Sequence, residues 1–129
     1  MTDPTPTPIT DVITIGVPVT DQERAVEFNR DSLGFELRRD VPLPQFGGRW
    51  IEMAPPGASV TVALVPAHEG VPAGVQTGIR LATADAIAVH AGLQARAVEV
   101  GELLRWPGVP AMFAVRDQDG NGLEIVEAP

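Results

Sequence analysis

Glu124 is the side chain that local sequence places best for chemistry. It lies in Leu123-Glu124-Ile125, an apolar strand pattern that follows the turn residues Asp119-Gly120-Asn121-Gly122. Side chains alternate along a strand, so its carboxylate points away from Leu123 and Ile125. A carboxylate so placed can transfer a proton or ligate a divalent ion. Few other residues stand ready to help it. The chain has two histidines and no cysteine. His68 falls in a Pro/Gly-rich connector and His90 at the polar boundary of a helix, so both read as surface residues. Ser32 and Ser59 have no histidine spaced to activate them, and Gly47-Gly48 lacks the strand-to-helix setting and following lysine of a phosphate loop. Aromatic residues point instead to binding. Trp50 and Trp106 each follow an arginine, and Phe46 lies in a loop over 44–48 read as flexible. Together they could wall a planar or apolar molecule, or else fill core gaps or a dimer seam.

The elements that must position these residues repeat. Residues 12–19 alternate, with Ile13, Ile15, Val17 and Val19 on one face and Thr14, Gly16 and Pro18 on the other. Thr20-Asp21-Gln22-Glu23 has a capping-box pattern and opens a helix to about Asp31, stopped by Gly34. Strands are expected at 35–41, 49–53 and 60–65, with Pro55-Pro56-Gly57 turning between the last two. The order then restarts: a strand at 77–82, a helix over 84–95, and strands at 97–100, 110–115 and 122–126. The fold class is therefore α+β, with two βαβββ modules at about 11–66 and 77–127 joined by 67–76. Residues 1–10, rich in Pro and Thr, form an expected flexible tail ahead of a single domain over 11–129.

Bulk properties narrow the functions. The chain of 129 residues is one domain by length, and its net charge of −8 disfavours nonspecific binding to nucleic acid. Arg38-Arg39, flanked by Glu36 and Asp40, is a solvated strand end. No apolar run is long enough to span a membrane, and no secretory signal pattern opens the sequence. The lack of cysteine fits a cytoplasmic protein.

The module order resembles the vicinal oxygen chelate superfamily, which includes glyoxalase I, bleomycin-resistance proteins and extradiol dioxygenases. The strand leading into Thr20-Asp21, Leu33-Gly34-Phe35, and Asp117-Gln118-Asp119-Gly120-Asn121 followed by Glu124 carry the resemblance. Arg49-Trp50 and Arg105-Trp106-Pro107-Gly108 resemble segments of small glyoxalase-like members. Gln118 departs from the usual turn proline, and Asn29 stands where an aromatic residue commonly follows Phe28. The resemblance implies a curved, cup-like mixed sheet with helices outside. It also implies metal ligands from the first and last strands of each module. Those positions fall on Thr14, Ala63, Gly78 and Glu124, and only Glu124 is an ordinary ligand. No metal and no cofactor are therefore expected. Glu52 shares a strand face with Trp50 and is assigned to the rim.

On the same alignment Arg80 shares the cup-facing phase of Gly78, while Ile79 and Leu81 face the helices. Arg80 and Glu124 then form an internal ion pair, or Arg80 anchors an anionic group while Glu124 moves a proton. The expected binding residues are Arg80, Trp50, Trp106, Phe46 and Thr14, with Glu124 as the catalytic candidate. Single-domain relatives commonly form homodimers whose crevices use both chains. The leading reading is an organic small-molecule binder of the bleomycin-resistance kind, serving sequestration or resistance without a complete metal site. The alternatives are a metal-independent lyase or isomerase using Glu124, and a regulatory or dimerisation module.

Overall fold

The computed structural model describes residues 7–129; the first six residues of the expected tail lie outside the described residues. Residues 7–10 are exposed and lack regular secondary structure. The first module comprises β1 (Thr14–Val19), α1 (Gln22–Asp31), β2 (Glu36–Leu43), β3 (Gly48–Ala54) and β4 (Thr61–Pro66). The second comprises β5 (Gln76–Thr83), α2 (Ala86–Ala95), β6 (Met112–Arg116) and β7 (Gly122–Glu127). They form a four-stranded sheet in the order β1-β4-β3-β2 and a three-stranded sheet in the order β5-β7-β6. In each module the strand before the helix pairs parallel with the last strand, and the remaining named neighbours are antiparallel. The α+β class and two-module plan hold.

The expected strand at 97–100 does not form as a regular element. Ala97 takes a left-handed φ of 60°, which costs a residue with a Cβ about 1–2 kcal/mol and breaks an extended run. What remains is an interrupted edge beside β6, with isolated bridges from Val100 to Val115 and from Leu104 to Met112. The nitrogen of Gly101 donates to the carbonyl of Ala114, and that of Arg116 to the carbonyl of Glu99. His90 secures this edge to α2, with Nε2 at 2.8 Å from the carbonyl oxygen of Gly101 and its ring edge-on to Phe113. The segment read as a flexible loop at 44–48 contains a short 3-10 turn, Pro44–Phe46.

Alternation in β1 settles the core. Val17 and Val19 are buried and pack in one cluster with Ile51, Met53, Val62 and Leu64 of the first module. The cluster continues through Ile79, Leu93, Phe113, Val115, Leu123 and Ile125 of the second, so the modules share a single apolar interior. Ala86 and Leu93 of α2 are buried and Val89 packs against them, as their helical spacing predicts.

The capping box at 20–23 is replaced by a different arrangement. Asp21 is the N-cap and its carboxylate accepts from the nitrogen of Arg24. Thr20 is turned outward, and its backbone nitrogen and hydroxyl both donate to Asp119 in the second module. Next to this contact, Asn121 is fully buried. Its amide nitrogen donates to the carbonyl of Pro18 and to Asp117, while its oxygen accepts from the nitrogens of Gly74 and Val75. The Asp117–Asn121 turn thus fastens the end of β1, the connector and the β6–β7 reversal together. Burial opposes ionisation of Asp119, but hydrogen bonds from Thr20 and Gln118 prevail and hold its carboxyl below the ordinary range.

Candidate functional site

The faces of the two sheets turned away from the core carry the expected site residues. In the first module Thr14, Thr61, Glu52 and Trp50 form one hydrogen-bonded set. The Trp50 indole nitrogen donates to Glu52 Oε2 at 2.6 Å, and the Thr61 hydroxyl lies 2.7 Å from Glu52 Oε1. Thr61 Oγ1 also lies 2.8 Å from Thr14 Oγ1, and Thr14 Oγ1 lies 3.2 Å from the carbonyl oxygen of Thr61. Strand register explains the meeting: Thr14 is opposite Thr61 across β1–β4, while Glu52 is opposite Ala63 across β3–β4. Hydrogen bonds from Trp50 and then Thr61 hold the Glu52 carboxyl below its usual value, outweighing its partial burial, with a smaller contribution from the charge of Arg39. Phe46, carried by the 3-10 turn, meets Trp50 edge-to-face with ring centroids 5.7 Å apart. Expected residues Thr14, Trp50 and Phe46 therefore stand in one connected group.

Glu52 and Thr61 are the members that sequence reasoning missed. The Trp50-Ile51-Glu52 spacing already puts indole and carboxylate on one strand face. What it cannot supply is the donor from β4, because that depends on register between distant strands.

The second module presents a different surface. Arg80 and Glu124 are opposite one another across β5–β7, and Arg80 Nε is 3.3 Å from Glu124 Oε1. Their side chains remain 55% and 49% exposed, so this is a solvated pair rather than one sealed in the cup. A terminal guanidinium nitrogen of Arg80 also lies 4.0 Å from the sulfur of Met112. Gly78 adopts a φ of 74° where the β5–β7 register shifts, so that position is a bulge. A cavity of about 190 Å³ beside it is lined by Gly78, Ala114, Glu124 and neighbours. Trp106 lies between Leu104 and β6 and is 59% exposed. No hydrogen bond or ion pair among the described residues joins Arg80, Glu124 or Trp106 to the Thr14–Glu52–Trp50 group.

The four positions implied for a metal do not fit one. Thr14 is engaged with Thr61, Ala63 is a buried methyl, Gly78 has no side chain, and Glu124 is paired with Arg80. Among the described residues no group of three His, Cys, Asp or Glu side chains gathers to hold an ion. No helix of the described residues is long and apolar enough to cross a membrane.

Paired βαβ-type modules with open sheet faces define a known class, and residues 11–125 match the model of the Glyoxalase/Bleomycin resistance protein/Dioxygenase superfamily. The chain belongs to that superfamily. Among solved structures it is similar to TnmS3, an antibiotic binding protein from Streptomyces sp. CB03234. The two are 34% identical over 95% of this chain and 99% of that one, with a TM-score of 0.84. A superfamily member from Sphaerobacter thermophilus DSM 20745 is 33% identical over 93% of this chain and 98% of that one, with a TM-score of 0.83. A lactoylglutathione lyase from Agrobacterium tumefaciens shares the fold at 20% identity and a TM-score of 0.70, over 94% of this chain and 96% of that one. No curated protein matches the chain.

Proposed function

We propose that this protein binds an organic molecule with a planar aromatic part and sequesters it without a metal ion. The observation that carries the reading is the exposed Phe46 set edge-to-face on the partly buried Trp50, next to a polar group held in fixed geometry. Aromatic walls with a few placed polar groups are the usual makeup of small-molecule sites. The similarity to an antibiotic binding protein supports the same reading. Sequestration requires only binding, so the poor donor set at Thr14, Ala63 and Gly78 is no obstacle to it.

In the single chain Phe46, Trp106 and the Arg80–Glu124 pair are exposed. A second copy covering these groups would remove them from water, and homodimerisation belongs to this proposal. A cytoplasmic location is the simplest setting for a sequestering protein of this composition. Proton transfer by Glu124 is the competing reading, and Arg80 beside it already occupies the carboxylate that would have to accept the proton.

The test is a tryptophan-fluorescence titration of chelator-treated protein with planar aromatic antibiotics. Saturable quenching at one site per chain, lost in Trp50→Leu, is the expected result. Binding that appears only after a divalent metal is restored would overturn the metal-free part. Turnover of a bound compound that disappears in Glu124→Gln would move the protein to the enzymes. A monomer mass in sedimentation at micromolar concentration would remove the dimer.

A further inference from the structure

The carboxylate of Glu52 has features of a recognition group that neither the family match nor the similarity to an antibiotic binding protein assigns. It accepts from two neutral donors on different strands, the Trp50 indole and the Thr61 hydroxyl. Those bonds fix its orientation and favour its ionised form. A carboxylate offers about four acceptor directions, so roughly two remain after the donors of this chain are counted. Arg39 is opposite Glu52 in the β2–β3 register but forms no ion pair with it among the described residues. The row across the sheet is completed by Ala63 and Gly16, and a methyl built on Gly16 would meet nothing within 4 Å. Space therefore opens along the row that contains the carboxylate.

The same indole that orients Glu52 is partly buried and meets the exposed Phe46 ring edge-to-face. Ring plane and charged acceptor are thus linked through one rigid side chain. An aromatic ligand stacked at Trp50 would bring its ring substituents close to Glu52. From this geometry we propose that Glu52 selects aromatic ligands bearing a hydroxyl on the ring, which donates to the carboxylate while the ring contacts Trp50 and Phe46. Arg39 nearby offsets part of the carboxylate charge, which favours a neutral donor over a cationic one. The proposal names the ligand class for the binding reading above and rests on it. A purely structural Glu52, serving only to join β3 to β4, would give no such preference.

The probes are naphthol and its methyl ether, which share a ring system and differ in whether the oxygen carries a proton. Each is titrated into the intact protein by calorimetry and by following the Trp50 indole N–H resonance, assigned by its loss in Trp50→Phe. Naphthol is expected to bind about tenfold more tightly than the ether, the scale of one hydrogen bond to a charged acceptor. It should also shift the Trp50 resonance, and Glu52→Gln should bring the two affinities together. Equal affinities in the unaltered protein overturn the role of Glu52 while leaving the aromatic site standing. A naphthol preference that survives in Glu52→Gln also overturns it, because the hydroxyl is then read elsewhere. Failure of both probes to bind removes the aromatic site and this proposal with it.

Discussion

The two open sheet faces place a carboxylate on corresponding surfaces and treat it in opposite ways. Glu52 in the first module is held by neutral donors, an indole and a hydroxyl, and is partly covered. Glu124 in the second meets a guanidinium in solvent, on a pair that is about half exposed. A charge fixed by neutral donors keeps its field available to a newcomer. A charge paired with an opposite charge has largely spent it. The first face also carries the aromatic pair, whereas the second has a bulge at Gly78 and a shallow cavity. Although repeated modules supply both faces, the hydrogen-bonded carboxylate and the aromatic pair lie together on one.

The strongest test of the difference is to perturb what the faces share. Asn121→Ala strips hydrogen-bond partners from Gly74, Val75, Pro18 and Asp117 at a fully buried point, and should cost about 3 kcal/mol in chemical denaturation. Both faces should lose order together in hydrogen exchange; loss confined to one would mean that the modules are stabilised independently. Thr61→Val acts on the first face alone, removing a donor from Glu52 at a cost of about 1–2 kcal/mol and displacing the Trp50 indole resonance. An unchanged resonance would show that the hydroxyl does not hold the carboxylate in solution.

Acid titration separates the faces more gently. The folded-state value of Glu52 is depressed, so its stabilising contribution is present above the usual glutamate value near 4.5 and is lost as pH falls through the lower folded value. The Trp50 indole resonance should therefore hold its position at pH 4.5 and move only below it. An inflection above that value would place Glu52 in a less favourable setting than its hydrogen bonds indicate. In protein diluted until any dimer dissociates, Glu124→Gln should have the smallest effect, within about 1 kcal/mol, because the ion pair is exposed in the single chain and an exposed pair contributes little. A larger loss in a urea melt of dilute protein would reveal that the second face is covered by something in solution.

Periodicity made much of this molecule legible. Alternation placed Val17 and Val19 in the core with Ile15 packed against it, although Ile13, expected on the same face, precedes β1 and is exposed. The spacing of Ala86, Val89 and Leu93 gave the inward side of α2. Arg80 and Glu124 are opposite one another across β5–β7, although the family resemblance that aligned Gly78 left their pairing open. Sequence signals failed where a distant partner decided the outcome. Thr20 has the composition of an N-cap, yet Asp119 in the other module claims its hydroxyl and leaves the cap to Asp21. Glu52 looked peripheral because its second donor, Thr61, arrives only through the β3–β4 pairing. Residues 97–100 have strand-forming types, but the left-handed turn at Ala97 reduces them to an interrupted edge.

The clasp between Thr20 and Asp119, together with Asn121 on Pro18, joins positions about a hundred residues apart. During synthesis the first module emerges long before the turn that locks it exists. Until residues 117–121 have left the ribosome, Asn121 is not there to meet the carbonyl of Pro18, and the core of β1 has no second module to close over it. The first face therefore becomes firm only once the second module has joined it. A chain whose second module has yet to fold leaves apolar strands of the first without their clasp, the kind of surface that chaperones cover.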